Sequence, residues 1–176
     1  MIRLSDTPVL QTERLTLRAP EAADWPAFHA FITDERSRFV RAGEVDEGKA
    51  WRAFGHVIGH WVLRGWGNFV ICLQGSTQPL GMAGPWFPAG WPERELGWSL
   101  WSPEAEGKGI AMEAAEATRR FAFGVLGWDT AVSYVDPANT RSAALAQRLG
   151  CTLDTGAAHP GEAALQVWRH PAGGAA

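Results

Sequence analysis

The run Glu106-Gly107-Lys108-Gly109-Ile110-Ala111 stands where a strand-like pattern gives way to a helix-like one. Backbone N–H groups at the start of a helix have no intrahelical partner, and the helix dipole places partial positive charge there. Glycines at 107 and 109 let an anion approach the main chain, so the run can serve as a phosphate cradle. It can equally be a tight strand-to-helix turn and nothing more. A Walker A loop is excluded, because Gly109 rather than Ser or Thr follows Lys108. The dinucleotide pattern G-x-G-x-x-G is met at Gly107 and Gly109 but breaks at Met112. Asp136, a candidate ribose-binding acid, comes farther along than the roughly 20 residues that motif requires.

Other reactive side chains are fewer. His56 and His60 have the i, i+4 spacing of a metal pair, but HVIGH lacks the Glu of H-E-x-x-H and no third ligand is evident, so no metal is expected. Cys72 and Cys151 lie in apolar surroundings, where cysteine behaves as a small hydrophobe rather than a nucleophile. In DPANTRS, Asn139 and Ser142 suit a turn and a helix N-cap, whatever else they do. Glu95 opens an apolar segment and reads first as a strand-end carboxylate.

These residues need a frame. Thr12 to Ala19 alternates Leu15 and Leu17 with polar residues, the period of a half-buried strand that Pro20 ends. Asp24 before Trp25-Pro26 predicts an N-cap and a short amphipathic helix through Phe28, Phe31 and Ile32. Trp51, Phe54, Ile58, Trp61 and Val62 predict a second helix over Asp46 to Leu63. Strands follow at Asn68 to Leu73, at Leu80 to Trp86, where Pro85 suggests a bulge or an edge, and at Glu95 to Trp101. A long helix over Gly109 to Leu126 opens at the glycine loop. A strand at Thr130 to Val135, a short helix over Thr140 to Leu149 closed by Gly150, and a strand pair at Leu153 to Thr155 and Ala163 to Arg169 complete the order. The pattern predicts one domain over 1–170, an α/β (α+β) fold whose central βαβ unit carries the glycine loop, and a disordered tail over 171–176.

Composition narrows the partners. The chain has 176 residues with 46% hydrophobic and 20% charged, ordinary globular usage. A net charge of -3 gives no basic field for nucleic acid or an anionic membrane. Two cysteines, no run of roughly 20 apolar residues and no leader-like start predict a cytoplasmic protein. Ten Trp against one Tyr point to packing and to an aromatic-lined surface, which would suit an amine by cation–π contact or a homodimer interface.

The stretch ELGWSLWSPEAEGKGIAMEAAEATRRFAFGVLGWDTAVSYVDPANTRSAALAQRLGC, with TERLTLRAP upstream, resembles the GNAT superfamily of N-acyltransferases in its RimJ/RimL-like branch. The likeness covers Glu95 to Cys151 and Thr12 to Pro20. It implies a mixed, mostly antiparallel sheet flanked by helices, and transfer of the acetyl group of acetyl-CoA to a protein N-terminus or small amine. By that resemblance Gly107, Lys108, Gly109, Ile110 and Ala111 hold the pyrophosphate, and Leu100 and Trp101 offer strand backbone to the pantetheine arm. Asn139 contacts the cofactor. Strand N–H donors hold the developing oxyanion, and Glu95, with Glu93 as the alternative, takes a proton from the amine. The family's frequent Tyr is Ala146 here, which leaves Ser142 to serve the departing sulfur. Glu106 departs from the family pattern, and a carboxylate beside a pyrophosphate is repulsive unless it turns away or Lys108 offsets it. Glu106 and the missing Tyr keep a second reading open, a module that binds acyl-CoA without turnover.

Overall fold

The computed structural model describes residues 4–41, 43–161 and 164–171. The expected elements form in the expected order, with one short strand added at the front. They are β1 (Leu10–Gln11), β2 (Leu15–Arg18), α1 (Trp25–Ile32), α2 (Glu47–Arg64), β3 (Phe69–Leu73), β4 (Gly81–Trp86), β5 (Glu95–Leu100), α3 (Ile110–Gly124), β6 (Val132–Val135), α4 (Thr140–Arg148), β7 (Thr152–Leu153) and β8 (Gln166–Arg169). The start of the last expected strand, Ala163, and residues 172–176 of the expected tail lie outside the described residues.

One eight-stranded sheet runs β1-β2-β3-β4-β5-β6-β8-β7. Every pairing is antiparallel except β5 with β6, which α3 joins as a crossover and which is in register only at Glu95↔Val132. Past that pair the two central strands part. Strand alternation puts Leu15, Leu17, Phe69, Ile71 and Ala83 against α3, in one buried cluster with Ile110, Ala114 and Phe121. Val70 and Cys72, on the opposite face, pack with Phe28, Phe31, Phe54 and Trp101 under α1 and α2. Helices thus cover both faces, and the gap between β5 and β6 joins them.

Two local expectations are corrected. Asp24 precedes α1 but makes no side-chain cap. Its buried carboxylate is held by Arg18 at 2.7 and 2.8 Å and by the Glu21 N–H at 2.8 Å, because a bidentate guanidinium outcompetes a single amide. Pro85 marks neither an edge nor a bulge, since β4 lies between β3 and β5 and stays in continuous register with β5 through Pro85↔Leu96. The β3 ladder ends at Phe69↔Ala83, so the missing N–H falls beyond the reach of β3.

Between the two central strands, Ser133 Oγ on β6 donates to Leu96 O on β5 at 2.6 Å. A carbonyl cannot donate, so His170 Nε2–H must donate to Ser133 Oγ, 2.9 Å away, which leaves the buried Nδ1 an acceptor without a partner among the described residues. Burial, aided by Arg119, pushes His170 down to about 3. Unfolded histidine titrates near 6.5, so below that pH the unfolded chain binds a proton that the folded one refuses. Stability therefore falls by about 2 kcal/mol for this residue between about pH 6.5 and 4.5. Urea unfolding at those two pH values measures it. His170→Gln should lose most of that dependence, and an unchanged dependence would contradict the assignment.

Candidate active site

Where β5 and β6 part, a cleft of about 630 Å³ opens, lined from α1, α2, β4, β5, β6 and the start of α4. Trp101 N–H donates to Leu80 O at 2.7 Å, which fixes the phase of the β4–β5 ladder. The hydrogen-bonded pairs are then Met82↔Ser99, Gly84↔Gly97 and Trp86↔Glu95. The backbone groups of Trp98 and Leu100 consequently turn to the other edge of β5, toward the gap. Trp101 does not: its N–H is taken by Leu80, its carbonyl accepts from Arg36 Nη1 at 2.8 Å, and its ring packs edge-on to Phe28. The carbonyl of Leu100 also accepts from Arg36, at 3.2 Å. Of the two residues expected to present backbone, only Leu100 keeps an N–H for the gap.

The glycine loop lies at the N-terminus of α3. Gly107 and Gly109 have φ of +72° and +75°, and Gly109 is the N-cap residue, so the loop needs residues without a Cβ penalty. Among the described residues, the N–H groups of Gly107 through Met112 make no hydrogen bond, and no side chain caps the helix. Six consecutive backbone donors at a positive helix end form a ready anion site. The TERL segment holds it in place. Glu113, in the first turn of α3, accepts from Thr12 Oγ1 at 2.6 Å and from Arg14 N and Nε at 2.9 and 2.6 Å, while Arg14 Nη1 donates to Lys108 O at 2.9 Å. The Lys108 side chain is exposed.

Glu106 is not a bare carboxylate. Arg36 Nη2 and Arg141 Nη1 each reach it at 2.6 Å, on opposite oxygens. The Arg36 bonds first, and the Arg141 bond with them, hold its carboxyl below the usual range. Two guanidiniums to one carboxylate leave this corner net positive. Neither arginine was singled out from the sequence, since they sit 70 positions before and 35 after their partner.

Ser142 and Glu95 line the cleft from different sides. The Ser142 hydroxyl accepts from Trp98 Nε1 at 3.4 Å, which leaves its own proton to give away. Asn139 lines the cleft too, and its Oδ1 caps α4 by accepting from Ser142 N at 3.2 Å. Ala146 is fully buried in the core under α4. Glu95 accepts from the Trp91 indole at 2.7 Å. Burial pushes its carboxyl up to about 7, against that indole, which favours the charged form. Glu93, the alternative, is held by Arg169 at 2.8 and 2.9 Å.

The remaining candidates are packing residues. His60 is buried with Nδ1 on Trp66 O and Nε2 accepting the Phe87 N–H, and burial lowers its pKa. His56 packs against Trp86. Among the described residues no group of three His, Cys, Asp or Glu could hold a metal ion. Burial pushes the Cys151 thiol up to about 11 and raises Cys72 as well, and neither lines the cleft.

Residues 14–152 match the model of the acetyltransferase (GNAT) domain. The chain belongs to the GNAT acetyltransferase family. Its fold is that of an acetyltransferase from Agrobacterium tumefaciens str. C58, 39% identical over 97% of this chain and 98% of that one, with a TM-score of 0.87. A chain from Bordetella pertussis described as a GnaT-family acetyltransferase is 25% identical over 93% and 99%, TM-score 0.74. The ribosomal-protein-S5-alanine acetyltransferase of Vibrio fischeri shares the fold at 15% identity over 92% and 94%, TM-score 0.66. In this GNAT chain the mostly antiparallel sheet, the flanking helices and the α3 crossover are those the resemblance implied. Among the described residues no helix is long and apolar enough to cross a membrane.

Proposed function

We propose that this GNAT protein transfers the acetyl group of acetyl-CoA to a primary amine by direct attack, as a member of the RimJ/RimL-like branch. The observation that carries this is the run of six unpaired N–H groups beside the gap between β5 and β6, with Glu95 and Ser142 lining the same cleft. The cradle fits a pyrophosphate, and the gap-facing edge of β5 at Trp98 and Leu100 fits an extended amide-bearing arm. When bound, acetyl-CoA supplies the activated thioester carbonyl.

The protein's own residues do the rest. A neutral amine near Glu95 forms the N–C bond, and its nitrogen passes a proton to that carboxylate. A carboxyl titrating near 7 is half charged at neutral pH, and so both accepts the proton and gives it up to water. N–H groups on the gap edge of β5 suit the oxygen that gains negative charge. As the C–S bond breaks, the sulfur takes up a proton through Ser142, whose oxygen the Trp98 indole already holds. Products are the N-acetyl amine and free CoA. Continuous detection of CoA thiol with an amine panel tests this. Release that depends on amine and falls in both Ser142→Ala and Glu95→Gln supports it, and binding of acetyl-CoA without any turnover would favour a non-catalytic module.

Glu106 in this reading is an anchor for Arg141 rather than an obstacle to phosphate. The two possibilities differ in sign. If Glu106 merely repelled, Glu106→Gln would tighten acetyl-CoA binding. Because it holds two guanidiniums at the loop, Glu106→Gln should weaken binding several-fold, on the order of 1 kcal/mol. Calorimetric titration with acetyl-CoA reads the difference, and tighter binding would contradict the anchor role.

A further inference from the structure

The two central strands begin to pair and then stop. Val132 N–H donates to Arg94 O at 3.0 Å, so strand alternation turns the backbone groups of Tyr134 toward β5 as well. A regular parallel ladder would continue with the Tyr134 N–H on Leu96 O and the Trp98 N–H on Tyr134 O, which is the rung Gly97↔Tyr134. Among the described residues the pairing ends one rung earlier, at Glu95↔Val132. The Leu96 carbonyl is taken by a side chain instead, Ser133 Oγ at 2.6 Å.

That hydroxyl is itself held. His170 Nε2–H donates to Ser133 Oγ at 2.9 Å, and the His170 backbone N–H donates to Ala131 O at 2.9 Å, which fastens the imidazole beside β6. With one bond accepted from His170, the Ser133 proton is committed to Leu96 O. Both residues are buried, 2% and 4% exposed, and burying polar groups costs free energy even when they are paired. Valine, which flanks this strand at 132 and 135, suits a buried strand better than serine. Packing alone therefore does not account for the pair. Ser133, Leu96, Gly97 and Trp98 all line the cleft, so the bond lies where the gap opens.

Resting on the proposed acetyl transfer, we infer that Ser133, oriented by His170, is a wedge that stops the β5–β6 ladder one rung early and so keeps the Trp98 N–H free for a carbonyl oxygen of acetyl-CoA. Ser133 and His170 are positioning residues, because they act through the main chain of β5. Without the hydroxyl, the Leu96 carbonyl has no partner, and the Tyr134 N–H is the nearest donor that alternation supplies. The strands then close by a rung, and Tyr134 O takes the Trp98 N–H. Acetyl-CoA would have to break that bond in order to bind.

The test is hydrogen exchange at the Trp98 amide, followed by NMR on the full chain with and without acetyl-CoA, together with calorimetric titration of acetyl-CoA. Wild type should exchange this amide readily and protect it on binding. Ser133→Ala should protect it before any ligand is added and bind acetyl-CoA about tenfold more weakly, the loss of one hydrogen bond. Ser133→Thr keeps a hydroxyl and should restore both properties, while His170→Leu should show the Ser133→Ala pattern in milder form. Ser133→Ala that is less stable, yet keeps wild-type affinity and an open Trp98 amide, would overturn the inference and leave the pair a structural one. A Trp98 amide already protected in ligand-free wild type would overturn it too. Wild type that binds no acetyl-CoA would remove the acetyl-transfer reading and the role of the wedge in it, even where the ligand-free exchange pattern holds.

Discussion

Glu95→Gln lowers kcat by about 10²- to 10⁴-fold, the range that a lost general base costs. The wild-type rate rises with pH through about 7, where Glu95 ionises, and the variant loses that limb. Acetyl-CoA affinity should hold, since Glu95 projects onto the face that α1 and α2 cover while the glycine loop lies at the start of α3. A stability readout separates this from misfolding. An acid whose folded pKa is raised loses stability as pH climbs from its ordinary value, 4.5, through about 7, because the folded state releases its proton last. Glutamine carries no such penalty, so the variant should be more stable than wild type above pH 7 while far less active. A variant that is inactive and also destabilised at high pH would mean that Glu95 is a structural carboxylate.

Gly109→Val should lower acetyl-CoA affinity by about 10- to 100-fold. Gly109 has φ of +75°, where a β-branched residue costs on the order of 1–3 kcal/mol, and its Cβ would sit 3.4 Å from Arg14 Nη2. The loop relieves that strain by leaving the left-handed region, and the row of free N–H donors at the start of α3 is then disrupted. Gly107 is equally left-handed with open space around it, so Gly107→Ala isolates the backbone term from the contact with Arg14. Calorimetry on the two variants gives the ordering, with Gly109→Val the weaker binder. Wild-type affinity in Gly109→Val would show that the loop is only a turn.

Much of the frame was legible because it is local. Period-two alternation marked Leu15 and Leu17, helical spacing marked Ile110, Ala114 and Phe121, and the glycine loop announced a helix start, all properties of adjacent residues. Long-range pairings were not. Arg36 and Arg141 meet at Glu106, and Thr12 and Arg14 meet at Glu113, only because the sheet order brings distant segments together. Sequence reasoning could therefore see a carboxylate at 106 but not what neutralises it. The tryptophans divide into core residues such as Trp61, Trp128 and Trp168, cleft residues Trp86, Trp91 and Trp98, and the exposed Trp51, and which did which depended on register.

Thermal unfolding with acetyl-CoA, with NAD and ATP at matched concentration alongside, tests the central claim most directly, because it needs no knowledge of the amine. Ligand at 100 times its dissociation constant adds about 2.7 kcal/mol, a midpoint rise of roughly 5 to 10 °C for a domain of this size. The cradle between α3 and the parted strands predicts that rise with acetyl-CoA and none with NAD or ATP. No rise with acetyl-CoA, or an equal one with NAD, would contradict it.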